Sequence, residues 1–105
     1  MLQGEKQYIA RTIKYENTIL LNICDEELLG KTVKGGAVDM EISREYFGGD
    51  LVSEDEAINL VRASSIVNLA GTRIVEKVLD QRLASARAVK KVGPVSFLMI
   101  YKFSN

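Results

Sequence analysis

The chain has 105 residues, 47% of them apolar and 27% charged, which is enough apolar content to bury a core without disulfides and too much for intrinsic disorder. Its 14 basic and 14 acidic residues cancel, and it holds one cysteine and no histidine. Ser-His-Asp and Cys-His catalysis and a Cys/His zinc site within the chain are therefore excluded, because no imidazole is present and a single thiol cannot supply the four ligands of a zinc site.

The N-terminal residues 1–6 lack a basic start followed by an apolar run. The longest uncharged apolar stretch, Val92 to Tyr101, falls short of the roughly 18 residues that cross a bilayer. A cytoplasmic protein without membrane contact is expected.

Gln7 to Tyr15 alternates, with Ile9, Ile13 and Tyr15 on one side, and reads as a half-buried strand. Glu16-Asn17 is a tight turn, and the β-branched run Thr18 to Cys24 completes a hairpin. Asp25 then reads as the N-cap of a short helical turn that ends at Gly30, with Glu26 and Glu27 at its positive end. After the turn Lys34-Gly35-Gly36, Val38 to Ile42 alternates as a third strand, with Val38, Met40 and Ile42 facing inward. Residues 43–50 form an irregular connection in which Gly48-Gly49 implies positive φ or a close backbone approach.

Ser53-Glu54-Asp55-Glu56 has the spacing of a capping box and opens a helix through Val61. Ser64-Ser65 divides or bends it. Ile66 to about Arg82 repeats apolar residues at Val67, Ala70, Ile74 and Val78 and reads as a second helix. Gly71 falls inside that stripe, where a glycine costs about 1 kcal/mol relative to alanine, so another element is expected to cross closely there. Ser85 to Val92 gives a last helical turn, Gly93-Pro94 closes it, and Val95 to Phe103 is an interior strand. The expected fold is one α+β domain over residues 1–105, a small mixed sheet of about four strands with two main helices packed on one face.

Gly30-Lys31-Thr32 after a strand is reminiscent of a phosphate-binding loop, but the first glycine of that motif would fall on Asp25, an anion. No cofactor or metal is expected, and no catalytic residue is assigned. The acids match no calcium loop, and Cys24, at the end of an apolar strand, reads as a buried, inert thiol. Asn68, Thr72 and Arg73 on the second helix are candidates for the rim of a pocket.

Charge is segregated: residues 1–70 carry seven basic and twelve acidic groups, net −5, and residues 71–105 carry seven and two, net +5. Arg82, Arg87, Lys90 and Lys91 crowd the connection into the last strand, where they form a candidate phosphate-binding patch, with Tyr46 or Tyr8 as stacking partners. The bland alternative is that the two portions lie together and neutralise each other.

Three segments carry a resemblance: Leu20-Leu21-Asn22-Ile23-Cys24-Asp25 continuing to Leu28-Leu29-Gly30-Lys31; Glu41-Ile42-Ser43 with Tyr46-Phe47-Gly48-Gly49; and Asn68-Leu69 with Gly71 and Arg73-Ile74-Val75. Their order and spacing, from about Tyr8 to Leu83, resemble a small archaeal family of unknown function, DUF424. The resemblance implies a stand-alone, translation-associated or RNA-binding protein with no catalytic residues to transfer. The chain departs from it after Gly93-Pro94, where Val95-Ser96-Phe97-Leu98 replaces a polar strand containing histidine. The expected function is thus a non-catalytic module for RNA or a ribonucleoprotein. Its basic patch would be joined by a second surface of Asn22, Asp25, Lys31, Tyr46, Gly48, Gly49, Asp50, Asn68 and Arg73. The alternative is a protein-interaction or self-assembling domain, a homo-oligomer pairing acidic with basic faces.

Overall fold

In a computed structural model, which describes residues 5–102, the hairpin forms as the alternation requires. Strand β1 (Lys6–Tyr15) pairs antiparallel with β2 (Thr18–Asp25) across a turn in which Glu16 adopts a φ of 54°. A single 3₁₀ turn (Glu26–Leu28) leads into a separate two-stranded hairpin, β3 (Thr32–Lys34) and β4 (Asp39–Glu41). The connection read as irregular contains a one-turn helix, α1 (Arg44–Phe47), capped by Ser43 through the Tyr46 amide at 3.2 Å. Next come β5 (Asp50–Ser53), helix α2 (Glu54–Ala63), β6 (Ile66–Ala70) and helix α3 (Thr72–Asp80). A second 3₁₀ turn (Ala86–Ala88), β7 (Lys90–Val92) and β8 (Val95–Tyr101) are the last elements among the described residues; Phe103, assigned to the last strand from sequence, lies outside them.

The main sheet has six strands rather than about four, in the order β5-β1-β2-β6-β8-β7. Among the described residues only β2 and β6 pair in parallel. Two sequence expectations are corrected. Val38 to Ile42 belongs to the separate hairpin, where Val38 and Met40 are exposed and only Ile42 is buried. Ile66 to Ala70 is a strand in the middle of the sheet, not the first turns of a helix. Its residues are apolar apart from Asn68, and the spacing mimics a helical stripe because a five-residue strand shows too few periods to separate the two.

Strand alternation gives the sheet two different faces. One carries Tyr8, Ala10, Leu21, Ile23, Val67, Leu69, Leu98 and Ile100 and is covered by α2 and α3, which insert Ala57, Val61, Ile74, Val75 and Val78. The opposite face is only partly covered. There Ile9, Cys24 and Ala70 pack under Val33, Ile42 and Phe47 of the small hairpin and α1. Beyond that cover the same face runs out to Ile13, Tyr15, Met99 and Tyr101, all exposed. Gly49 shows how closely the α1 connection approaches: a Cβ there would lie 2.1 Å from the Ala10 carbonyl oxygen, so the close approach, not a positive φ, demands the glycine.

Candidate functional site

The half-covered face forms a groove of about 750 Å³. Because β2 and β6 align Asn22 with Asn68, and β6 and β8 align Asn68 with Met99, these three residues stand in one row across the sheet. Met40, Tyr46 and Phe47 of the hairpin and α1 line the groove, as do Phe97 and Met99 of β8. The chain leaving α3 curls round the sheet edge, anchoring Leu83, Ala84 and Val89 in the helix-side core while Arg87 and Lys90 line the groove.

Asn22 and Asn68 are the polar centre of this apolar site. Asn22 is 3% exposed, and its Nδ2 donates to the Tyr46 carbonyl at 3.0 Å. Its Oδ1 accepts from Asn68 Nδ2 at 2.8 Å. A side-chain amide buried in a sheet face costs free energy unless bonded, and this relay satisfies both polar atoms of Asn22. Tyr46 lines the groove while remaining 68% exposed, so its ring is open to a stacking partner.

The four candidate cations are divided. Lys90 is opposite Phe97 in the β7–β8 register and shares its groove face, whereas Lys91 is opposite Ser96 on the other face. Arg82 sits just beyond α3 with a φ of 58° and does not line the groove. Arg87 and Lys90 make no ion pair among the described residues. Their acidic neighbour in the groove lining is Glu41.

Much of the remaining charge segregation is absorbed within the fold. Arg73 and Lys77 reach back to acids of the N-terminal portion, Arg73 to Glu27 at 2.6 Å and Lys77 to Glu54 at 3.3 Å. Arg73 also donates to Gln7, through its side chain at 2.9 Å and its backbone carbonyl at 3.2 Å, and lies 5.0 Å from the Tyr8 ring centre. Tyr8 is 1% exposed, which removes it as a stacking partner for a ligand. The Glu27 carboxyl is held below its ordinary pKa by its hydrogen bond with Arg73.

Asp25 does not cap its own turn. Its carboxylate accepts from the backbone amides of Arg73 at 3.0 Å and Ile74 at 2.9 Å and so caps α3 from the end of β2. Burial raises the Asp25 pKa against the opposing pull of those two amides. Gly71, with φ of 132°, makes the arrangement possible, since a Cβ would fall 2.4 Å from the Asp25 carboxyl carbon. Cys24 beside it is fully buried, and burial pushes its thiol up to about 12.

Of the second-surface candidates, then, Asn22, Tyr46 and Asn68 converge on the groove, while Asp25 and Arg73 are committed to α3 and its ion pairs. Lys31 leads into β3 through backbone bonds to Leu28 and Ile42, with no helix after it to hold a phosphate. Gly48 accepts from Arg11 at 3.2 Å, and Gly49 and Asp50 lie against Ala10 of β1, away from the groove. Asn68 and Thr72 do not share a helix face; Thr72 instead bonds Pro94 and Ser96. Sequence reasoning missed Met40, Phe97 and Met99. An asparagine in each of two apolar strands was the available signal, but only the register shows that they meet.

Among the described residues no cluster of three His, Cys, Asp or Glu could hold a metal ion, and no helix is long and apolar enough to cross a membrane. A model of the family described as protein of unknown function, DUF424, matches residues 13–103. Among solved structures, the chain is similar to an uncharacterized conserved protein from Methanopyrus kandleri, with a TM-score of 0.77 at 23% identity, covering 94% of each chain. At that identity the likeness is one of fold. No curated protein matches the chain.

Proposed function

The chain belongs to DUF424, a family of proteins of unknown function, and with that as premise we propose that it is a non-catalytic module that binds single-stranded RNA, free or within a ribonucleoprotein. The groove on the half-covered sheet face is the binding site. One observation carries this reading: Arg87 and Lys90, neither of them ion-paired among the described residues, line the same groove as the exposed Tyr46 ring and the Asn22–Asn68 pair. Single strands are held by cations that follow the phosphates and aromatic faces on which bases stack, with stacking worth about 1–3 kcal/mol per base. A translation-associated role fits such a module.

Fluorescence anisotropy with a mixed-sequence single-stranded RNA of about 12 nucleotides tests the proposal, that length being within the site sizes known for single-strand binders. The parent should bind and Tyr46→Ala should bind more weakly; absence of binding at low salt would refute the reading.

A second reading, a self-assembling or protein-interaction domain, is favoured by the uncovered stretch of the same face, where Ile13, Tyr15 and Tyr101 are exposed. It requires a sedimentation coefficient that rises with concentration in the absence of RNA and falls on changing Ile13 to Asp.

A further inference from the structure

The direction of the Asn22–Asn68 relay determines what the groove asks of a ligand. The Tyr46 carbonyl can only accept, so Asn22 must turn its NH₂ toward it, and the oxygen of Asn22 consequently faces Asn68. Asn68 must then offer its own NH₂ to Asn22 and turn Oδ1 away. Asn68 is half-buried in the groove lining, and among the described residues no donor bonds its Oδ1. Glu41, whose side chain offers acceptors only when ionised, is among the residues lining the same groove. The interior of the site thus asks for an N–H donor edge, its aromatic and methionine side chains ask for a flat apolar face, and Arg87 and Lys90 ask for negative charge.

Resting on the RNA-binding reading above, we infer that the groove receives one unstacked base bearing an exocyclic amino group, adenine being the best match, with Asn68 reading the amino edge and Arg87 and Lys90 holding the adjoining phosphates. Asparagine matches adenine because its oxygen accepts from the amino group while its NH₂ can reach the neighbouring ring nitrogen. Uracil brings carbonyl oxygens, flanking its one ring N–H, toward Asn68 Oδ1 and Glu41, and such acceptors repel one another. Tyr46 has a double role: its ring is placed for stacking, and its backbone carbonyl sets the polarity of the relay.

The test uses short uridine-based single-stranded RNAs with one central adenosine, the same RNA with purine riboside in its place, and the all-uridine strand, measured by anisotropy against the full chain. Purine riboside lacks only the amino group, so the comparison needs no protein variant. The adenosine strand should bind about tenfold more tightly than the purine riboside strand, within the discrimination expected of one good base contact. Asn68→Leu should bring the two to the same affinity, because the contacts common to both strands and the bond to Asn22 are lost for each alike, while only adenosine also loses the bond to its amino group. Equal affinity of the parent for all three strands would overturn the inference and leave RNA binding standing. No binding to any strand would overturn both.

Discussion

Asp25 concentrates much of what this sequence does at the scale of single residues. Its two carboxylate oxygens satisfy the first amides of α3, and Gly71 leaves the space they occupy. Asp25→Ala removes two hydrogen bonds to a charged acceptor and strands a buried Ile74 amide. It should lower the unfolding free energy by about 2–4 kcal/mol in chemical denaturation. From sequence, Asp25 could be read only as a local cap, because the segment it serves lies 48 positions away. Its neighbour Glu27 has the opposite relation to pH. A carboxyl with a depressed folded pKa contributes stability above its unfolded value, about 4.3, that is lost as pH falls through the folded one. Asp25, whose folded pKa is raised, gains relative stability over the same acid descent. Glu27→Gln should therefore make the acid-side fall in stability shallower. The change should be no more than about 1 kcal/mol, because the pair is solvent-exposed and screened. A steeper acid limb in thermal melts between pH 5 and about 2.5 would show the sign to be wrong.

At the scale of elements, helix α2 was readable because its start is a local pattern. Ser53 Oγ accepts from the Glu56 amide at 3.2 Å, and Glu56 Oε1 accepts from the Ser53 amide at 2.8 Å, the reciprocal pair that the spacing implies. Ser53→Ala should cost about 0.5–2 kcal/mol, seen as a lower denaturation midpoint with an unchanged slope. The β1–β2 hairpin was readable for the same reason, since its alternation and turn are contained within its own residues. Strand β6 was not. The apolar spacing Val67, Ala70, Ile74, Val78 is continuous in the sequence, yet it crosses a strand, a glycine at φ of 132° and a helix. What makes Ile66–Ala70 a strand is its pairing to β2 and β8, which is non-local. The short edge strands β5 and β7, of four and three residues, also take their form from partners distant in sequence or joined by the Gly93-Pro94 turn.

Across the whole molecule, the two-sided sheet separates stability from binding. The helix-covered face carries the larger core, and the ion pairs Arg73–Glu27 and Lys77–Glu54 tie the basic C-terminal portion to the acidic N-terminal one. The charge asymmetry visible in the sequence is thus neutralised in part, and the cations left in the groove are those whose position depends on strand alternation and on the chain turning round the sheet edge. Sequence could supply the candidate residue types but not this division, because Lys90 and Lys91 are adjacent in the chain and opposite in the sheet.

The central claim, that RNA is held by the cations of the groove and not by basic sequence in general, is tested most directly by the salt dependence of single-stranded RNA binding in two double variants of equal charge loss. Changing Arg87 and Lys90 to Ala should flatten the slope of log affinity against log salt by about 1.4, two phosphate contacts at about 0.7 each, whereas changing Arg82 and Lys91 to Ala should leave it at the parent value. Equal flattening by both pairs, or none by the Arg87 and Lys90 pair, would contradict it.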